Sequence, residues 1–140
     1  RLSDVIIATD DQRIFDHAQS FGASVVMTSA SCPTGTDRIA EVVSSSAICH
    51  DADYILNIQG DEPLIAPETL TSVVDACIDD PSAEASTAVT LLHNEAALHD
   101  PSVVKCVFSH DDSALYFSRS PIPHTASPSH WTPCPRISRL

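Results

Sequence analysis

The chain has 140 residues, 43% of them hydrophobic and 19% charged, with seven Lys or Arg against nineteen Asp or Glu and a formal charge of −12. Such a length and balance describe one ordinary globular domain and argue against disorder, while the acidity would repel a nucleic-acid backbone. No apolar run approaches the ~20 residues of a membrane span, and no basic segment leads into an apolar one at the N-terminus, so the expectation is a cytoplasmic protein with no membrane insertion.

Asp4 to Thr9 ("DVIIAT") is a short run rich in β-branched residues and predicts a buried strand. Asp10 follows as a natural N-cap, and Ile14, Phe15, Ala18 and Phe21 then share one helical face until Gly22 stops the helix. "SVVMT" (24–28) predicts the next strand, and Ile39, Ala40, Val42 and Val43 mark a second helix opened by the polar stretch from Thr34 to Asp37. Tyr54 to Ile58 predicts a third buried strand, after which Pro67 suits a first helical turn and Leu70, Val73, Val74, Cys77 and Ile78 form one stripe. "STAVTLLH" (86–93), "VVKCVFS" (103–109) and "ALYFS" (114–118) predict further strands, the last two joined by the turn-like "HDDS". Alternating strands and helices give an α/β class: a doubly wound sheet, largely parallel at first, with antiparallel additions later. From Pro121 the periodicity ends, and five of the last twenty residues are proline. The expected organisation is one domain over 1–120 and an irregular Pro/Ser-rich tail over 121–140.

Five cysteines at 32, 49, 77, 106 and 134 contain no C-x-x-C, and the seven histidines contain no H-E-x-x-H. Structural thiols and surface histidines are the expectation. In an open parallel sheet, ligands gather outside the carboxyl ends of the strands, where loops and helix N-termini converge. Three polar clusters fall at such ends: Thr9-Asp10-Asp11, "TSASCPTGTDR" (28–38) and Gln59-Gly60-Asp61-Glu62. Gly35 suits a loop laid against a flat base or a phosphate, or a plain turn capped by Thr34. Asp61, at a strand end, suits Mg²⁺ held against nucleotide phosphates, or a simple turn; Glu62 is weaker, because adjacent side chains in extended backbone point opposite ways. Arg119, just past "ALYFS", suits bidentate binding of a carboxylate, or solvent.

In order, "ATD", "MTS…TGTDR", "NIQGDEP" and "ALYFSRSPIP" resemble the family of CMP-Kdo synthetases, cytidylyltransferases that activate the sugar acid Kdo (3-deoxy-manno-octulosonate). The resemblance runs from Val5 to about His124 and implies a Rossmann-like nucleotide–sugar transferase fold. It also implies the Mg²⁺-dependent reaction CTP + Kdo → CMP-Kdo + diphosphate, a step toward lipopolysaccharide, in an enzyme expected to be a homodimer. Carried over by motif, Thr34, Gly35 and Arg38 surround the cytosine, with Asp10 near the base; Gln59 touches nucleotide and sugar; Asp61 binds the metal; Arg119 lies on the Kdo side. Asp61 and Gln59 are thus the catalytic candidates. Nothing here corresponds to the family's N-terminal phosphate loop ending in Pro-Gly-Lys-Pro, to its second metal-binding aspartate, or to its C-terminal segment. "TASPSHWTPCPRISRL" (125–140) resembles no part of the family and reads as frameshifted or foreign sequence. The expectation is an incomplete and inactive chain. The alternatives are a non-catalytic nucleotide-binding remnant and a cytidylyltransferase for another sugar acid, such as a sialic acid.

Overall fold

A computed structural model describes residues 2–124 and 137–139. The chain divides into two compact units, Arg1–Asp75 and Ala76–Leu140. Of the expected irregular tail over 121–140, residues 125–136 lie outside the described residues.

In the first unit, β1 (Ile6–Thr9) and β2 (Ser24–Met27) pair in parallel, Ile6 opposite Ser24 and Thr9 opposite Met27. A parallel pair needs a crossover, and α1 (Gln12–Ser20) supplies it. Its N-cap is Asp11 rather than the expected Asp10: the Asp11 carboxylate accepts the Arg13 backbone N–H at 2.8 Å, while the Asp11 N–H donates to the Thr9 hydroxyl at 3.1 Å. One residue of offset leaves the Asp10 side chain free for another partner. Gly22 ends the helical segment with φ +80°, a conformation that costs glycine little.

The second helix is α2 (Gly35–Ser45), with Thr34 as N-cap through its hydroxyl, followed by a single 3-10 turn at Ala47–Cys49. Tyr54 to Ile58 corrects the expected buried strand: among the described residues it has no ladder partner, and Tyr54, Ile55 and Ile58 are exposed. An apolar, β-prone run becomes a strand only where a neighbouring edge receives its backbone groups. The described ladder of this unit ends with β1 and β2.

The division between the units falls within α3 (Pro67–Asp79), which opens with proline as expected. The second unit contains an antiparallel sheet of β3 (Thr90–Leu91), β4 (Lys105–Phe108), β5 (Ala114–Ser118) and β6 (Ile137–Arg139), ordered β3-β6-β4-β5. The "STAVTLLH" strand shrinks to two residues because β3 pairs only with Arg139 and Ser138 of the short β6. Part of the residues expected to form an irregular tail thus supplies a strand. The β4–β5 hairpin turns through Asp112 at φ 64°, in the left-handed region that Asp tolerates. A helix not expected from sequence, α4 (Glu95–His99), starts at Asn94, whose side chain accepts the Ala97 N–H at 2.7 Å. Leu98 anchors it, 1% exposed. The class is α/β as expected, parallel first and antiparallel later. Among the described residues no helix is long and apolar enough to cross a membrane, and Cys32, Cys49, Cys77 and Cys106 are free.

Candidate functional site

The carboxyl ends of β1 and β2 meet the N-terminus of α2. Thr9 and Thr28, the residues that leave the two strands, are 5% and 6% exposed, and the Thr28 N–H continues the ladder by donating to the Thr9 carbonyl at 2.8 Å. Arg38, one turn into α2, reaches back to both strand ends. Its Nη2 lies 2.9 Å from the Asp10 carboxylate, and its Nη1 donates to the Thr28 hydroxyl. A guanidinium has five N–H donors, so these two contacts fix its plane and leave others for a ligand. Because Asp11 caps α1, Asp10 is the acid that Arg38 receives.

Thr34 and Asp37 close the start of α2. The Asp37 N–H donates to the Thr34 hydroxyl, which in turn donates to the Asp37 carboxylate. Gly35 then admits Gln59: a Cβ at that position would stand 3.1 Å from Gln59 Oε1 and 3.3 Å from Nε2, tighter than ordinary contact. The Gln59 amide is held from the other side by Asn57, whose Oδ1 accepts from Nε2 at 3.0 Å. Four of the five expected nucleotide residues are therefore in two linked pairs, Asp10 with Arg38 and Gly35 with Gln59, and Thr34 caps the helix that carries two of them.

Glu41, one turn beyond Arg38, braces the loop after β2. Its carboxylate accepts the Ser29 N–H at 2.9 Å and the Cys32 thiol at 3.1 Å. The Cys32 hydrogen bond, then the Ser29 one, hold Glu41 below the usual carboxylate range. The same bond to Glu41, with desolvation, pushes the Cys32 thiol up, which favours its neutral form.

Asp61 lies outside these pairs, exposed on a turn in which the Glu62 N–H donates to the Gln59 carbonyl at 3.2 Å. Among the described residues no group of three or more His, Cys, Asp or Glu could hold a metal ion. Magnesium takes only one or two protein carboxylates beside phosphate and water, so one open carboxylate suits it and a closed cluster is not required. A Cβ on Gly60 would meet nothing within 4 Å, so that glycine serves no close approach here.

Arg119 belongs to the second unit. It follows β5 directly, and its Nη1 donates to the Pro101 carbonyl at 2.9 Å. Asn57 and Lys105 were not among the expected site residues, and Thr28 was expected only as the first residue of a polar cluster. Thr28 and Asn57 were legible only as polar residues at the end of, or within, apolar runs. Lys105 carried a clearer signal, a lone charge inside "VVKCVF".

The pattern of the family described as cytidylyltransferase matches residues 1–130. A 3-deoxy-manno-octulosonate cytidylyltransferase of Protochlamydia amoebophila is 52% identical over 122 residues, covering 87% of this chain and 47% of that protein. The mitochondrial enzyme of the same name from Arabidopsis thaliana is 47% identical over 126 residues, 90% of this chain and 42% of its own length. A solved structure of CMP:2-keto-3-deoxy-manno-octonic acid synthetase, complexed with CTP, superposes with a TM-score of 0.76 at 34% identity, covering 99% of this chain and 54% of that one. The chain spans about half the length of the curated relatives it matches.

Proposed function

This chain belongs to the cytidylyltransferase family, and from that premise we propose that the whole enzyme carrying it joins CTP to Kdo, releasing diphosphate and forming CMP-Kdo for lipopolysaccharide. The observation that carries this reading is the Asp10–Arg38–Thr28 arrangement beside the Gly35–Gln59 contact. It builds a recognition corner on a chain that matches, over 99% of its length, a solved structure complexed with CTP.

In the proposed reaction a Kdo hydroxyl oxygen forms a bond to the α-phosphorus of CTP and gives its proton to solvent, and the bond from that phosphorus to the diphosphate oxygen breaks, the diphosphate leaving. No covalent enzyme intermediate is needed, so positioning and charge stabilisation carry the catalysis. Arg38, with its plane set by Asp10 and Thr28, directs its remaining donors to the cytosine. Gly35 keeps the backbone close to that ring, Thr34 holds the helix start, and Gln59 bridges nucleotide and sugar. Asp61 would hold Mg²⁺, which offsets phosphate charge when bound. Arg119 pairs with the sugar-acid carboxylate. We place the enzyme in the cytoplasm, as a homodimer.

The test is diphosphate release by the whole enzyme, expected only when CTP, Kdo and Mg²⁺ are all present. A sialic acid used with equal or better kcat/KM than Kdo overturns the substrate assignment. Asp61→Asn should lower the rate by ~10²–10³ without loss of fold, the usual worth of one well-placed electrostatic group. Near-normal turnover at limiting Mg²⁺ would remove Asp61 from the metal's shell.

A further inference from the structure

The least expected group in the second unit is Lys105, the first residue of β4, with 0% of its surface exposed. A buried ammonium is costly unless its protons are all taken up, and here three carbonyls receive them. Nζ donates to Asp100 O at 2.9 Å, Val103 O at 2.8 Å and Arg119 O at 2.6 Å. Two acceptors lie on the loop between α4 and β4, and the third is the backbone of the arginine that follows β5. The loop is closed on itself as well: Asp100 accepts the Ser102 N–H at 2.8 Å and the Ser102 hydroxyl at 2.6 Å, and the Val103 N–H returns to Asp100 O at 3.2 Å. Pro101 lies between the two loop carbonyls that Lys105 holds. Its own carbonyl takes the Arg119 guanidinium.

We propose that Lys105 is a positioning residue for Arg119: one buried ammonium fixes both the backbone from which Arg119 projects and the loop whose Pro101 carbonyl holds its guanidinium. This rests on the reading that Arg119 meets the sugar-acid carboxylate. Burial lowers the Lys105 pKa, the Asp100 carboxylate partly opposes that shift, and the nearby Arg119 charge adds to it. Arg119 is otherwise exposed, so without the bracket its long side chain would sample many rotamers and present the fork to a carboxylate only part of the time.

The test compares KM for Kdo with KM for CTP in the whole enzyme carrying Lys105→Met, which keeps the apolar stem and removes the ammonium. KM for Kdo should rise by about 10- to 100-fold, the scale of a misplaced binding group, with KM for CTP held. Added to Arg119→Ala, Lys105→Met should raise the Kdo KM little further, since nothing is left to position. Independent losses that multiply, or equal rises in both KM values, overturn the proposal. Should Lys105→Met fail to fold, Ser102→Ala loosens the same loop without touching the ammonium. It should move the Kdo KM in the same direction by less, and an unchanged value overturns the proposal. If Arg119→Ala itself leaves the Kdo KM unchanged, the placement of Arg119 is what has failed, and the bracket's role falls with it.

Discussion

At the scale of single residues, small offsets decide which side chain does what. Asp10 and Asp11 are adjacent acids, yet one pairs with Arg38 and the other caps α1. Hydrogen bonds from the Arg13 side chain and backbone hold the Asp11 pKa at about 2, below its ordinary 3.8. Because the folded value is the lower one, Asp11 supports α1 fully above pH 3.8 and loses that contribution as pH falls toward 2. Following the Asp11 carboxyl carbon by NMR through an acid titration should place its midpoint well below that of an unfolded peptide; a midpoint at or above 3.8 contradicts the cap. Gly35→Ala tests the neighbouring contact. The added methyl would sit 3.1 Å from Gln59 Oε1 and displace that amide, while alanine favours the helix itself by up to about 1 kcal/mol. CTP should bind the whole enzyme less tightly with no fall in melting temperature. A variant that binds CTP normally would show that the Gln59 position is irrelevant to the nucleotide.

At the scale of elements, α4 shows how local signals and burial divide the work. Asn94 followed by "EAALH" is a proper helix start, but five residues are too few for an autonomous helix, and the sequence offers only one buried side chain to hold it. That side chain is Leu98, and the helix end leads into the Asp100–Val103 loop that Lys105 grips. Leu98→Ala should therefore cost ~2–5 kcal/mol. Asn94→Ala should cost only ~1 kcal/mol, the worth of a cap. Urea unfolding followed by circular dichroism measures both. Equal costs would mean that packing contributes no more to this element than its cap.

At the scale of the molecule, the described residues bury few apolar side chains, among them Ala18 and Val42 in the first unit and Cys77, Leu92, Leu98 and Cys106 in the second. Many large ones are exposed instead, including Val5, Tyr54, Ile55 and Ile58 in the first unit, Leu115, Tyr116 and Phe117 in the second, and Leu64 at 94%. Exposed apolar area on this scale goes beyond the scattered residues of a typical soluble surface. The 140-residue chain by itself should bind the dye ANS at neutral pH and melt over a broad range, as chains with loose packing do. It should hold CTP weakly at best, with no Lys or Arg between Arg38 and Lys105 to meet a triphosphate. A sharp calorimetric transition without dye binding would contradict this.

Periodicity alone was enough for α1, α2 and α3, because an apolar stripe at helical spacing, with Thr34 before one helix and Pro67 opening another, specifies a helix wherever its surroundings lie. The hairpin of β4 and β5 was equally legible, since its turn is local. The motifs also named Asp10, Thr34, Gly35, Arg38 and Gln59 as neighbours-to-be, though not which would touch. Contacts between distant residues were decided only by the tertiary structure. Tyr54 to Ile58 is as apolar as a buried strand, but a strand depends on an edge supplied from elsewhere, and no described edge receives it. Lys105 reads as an anomaly in an apolar strand until three carbonyls, from residues two, five and fourteen positions away, close around its ammonium. A charge can remain inside only when the fold brings its acceptors together, and one-dimensional patterns of hydrophobicity carry no record of that convergence.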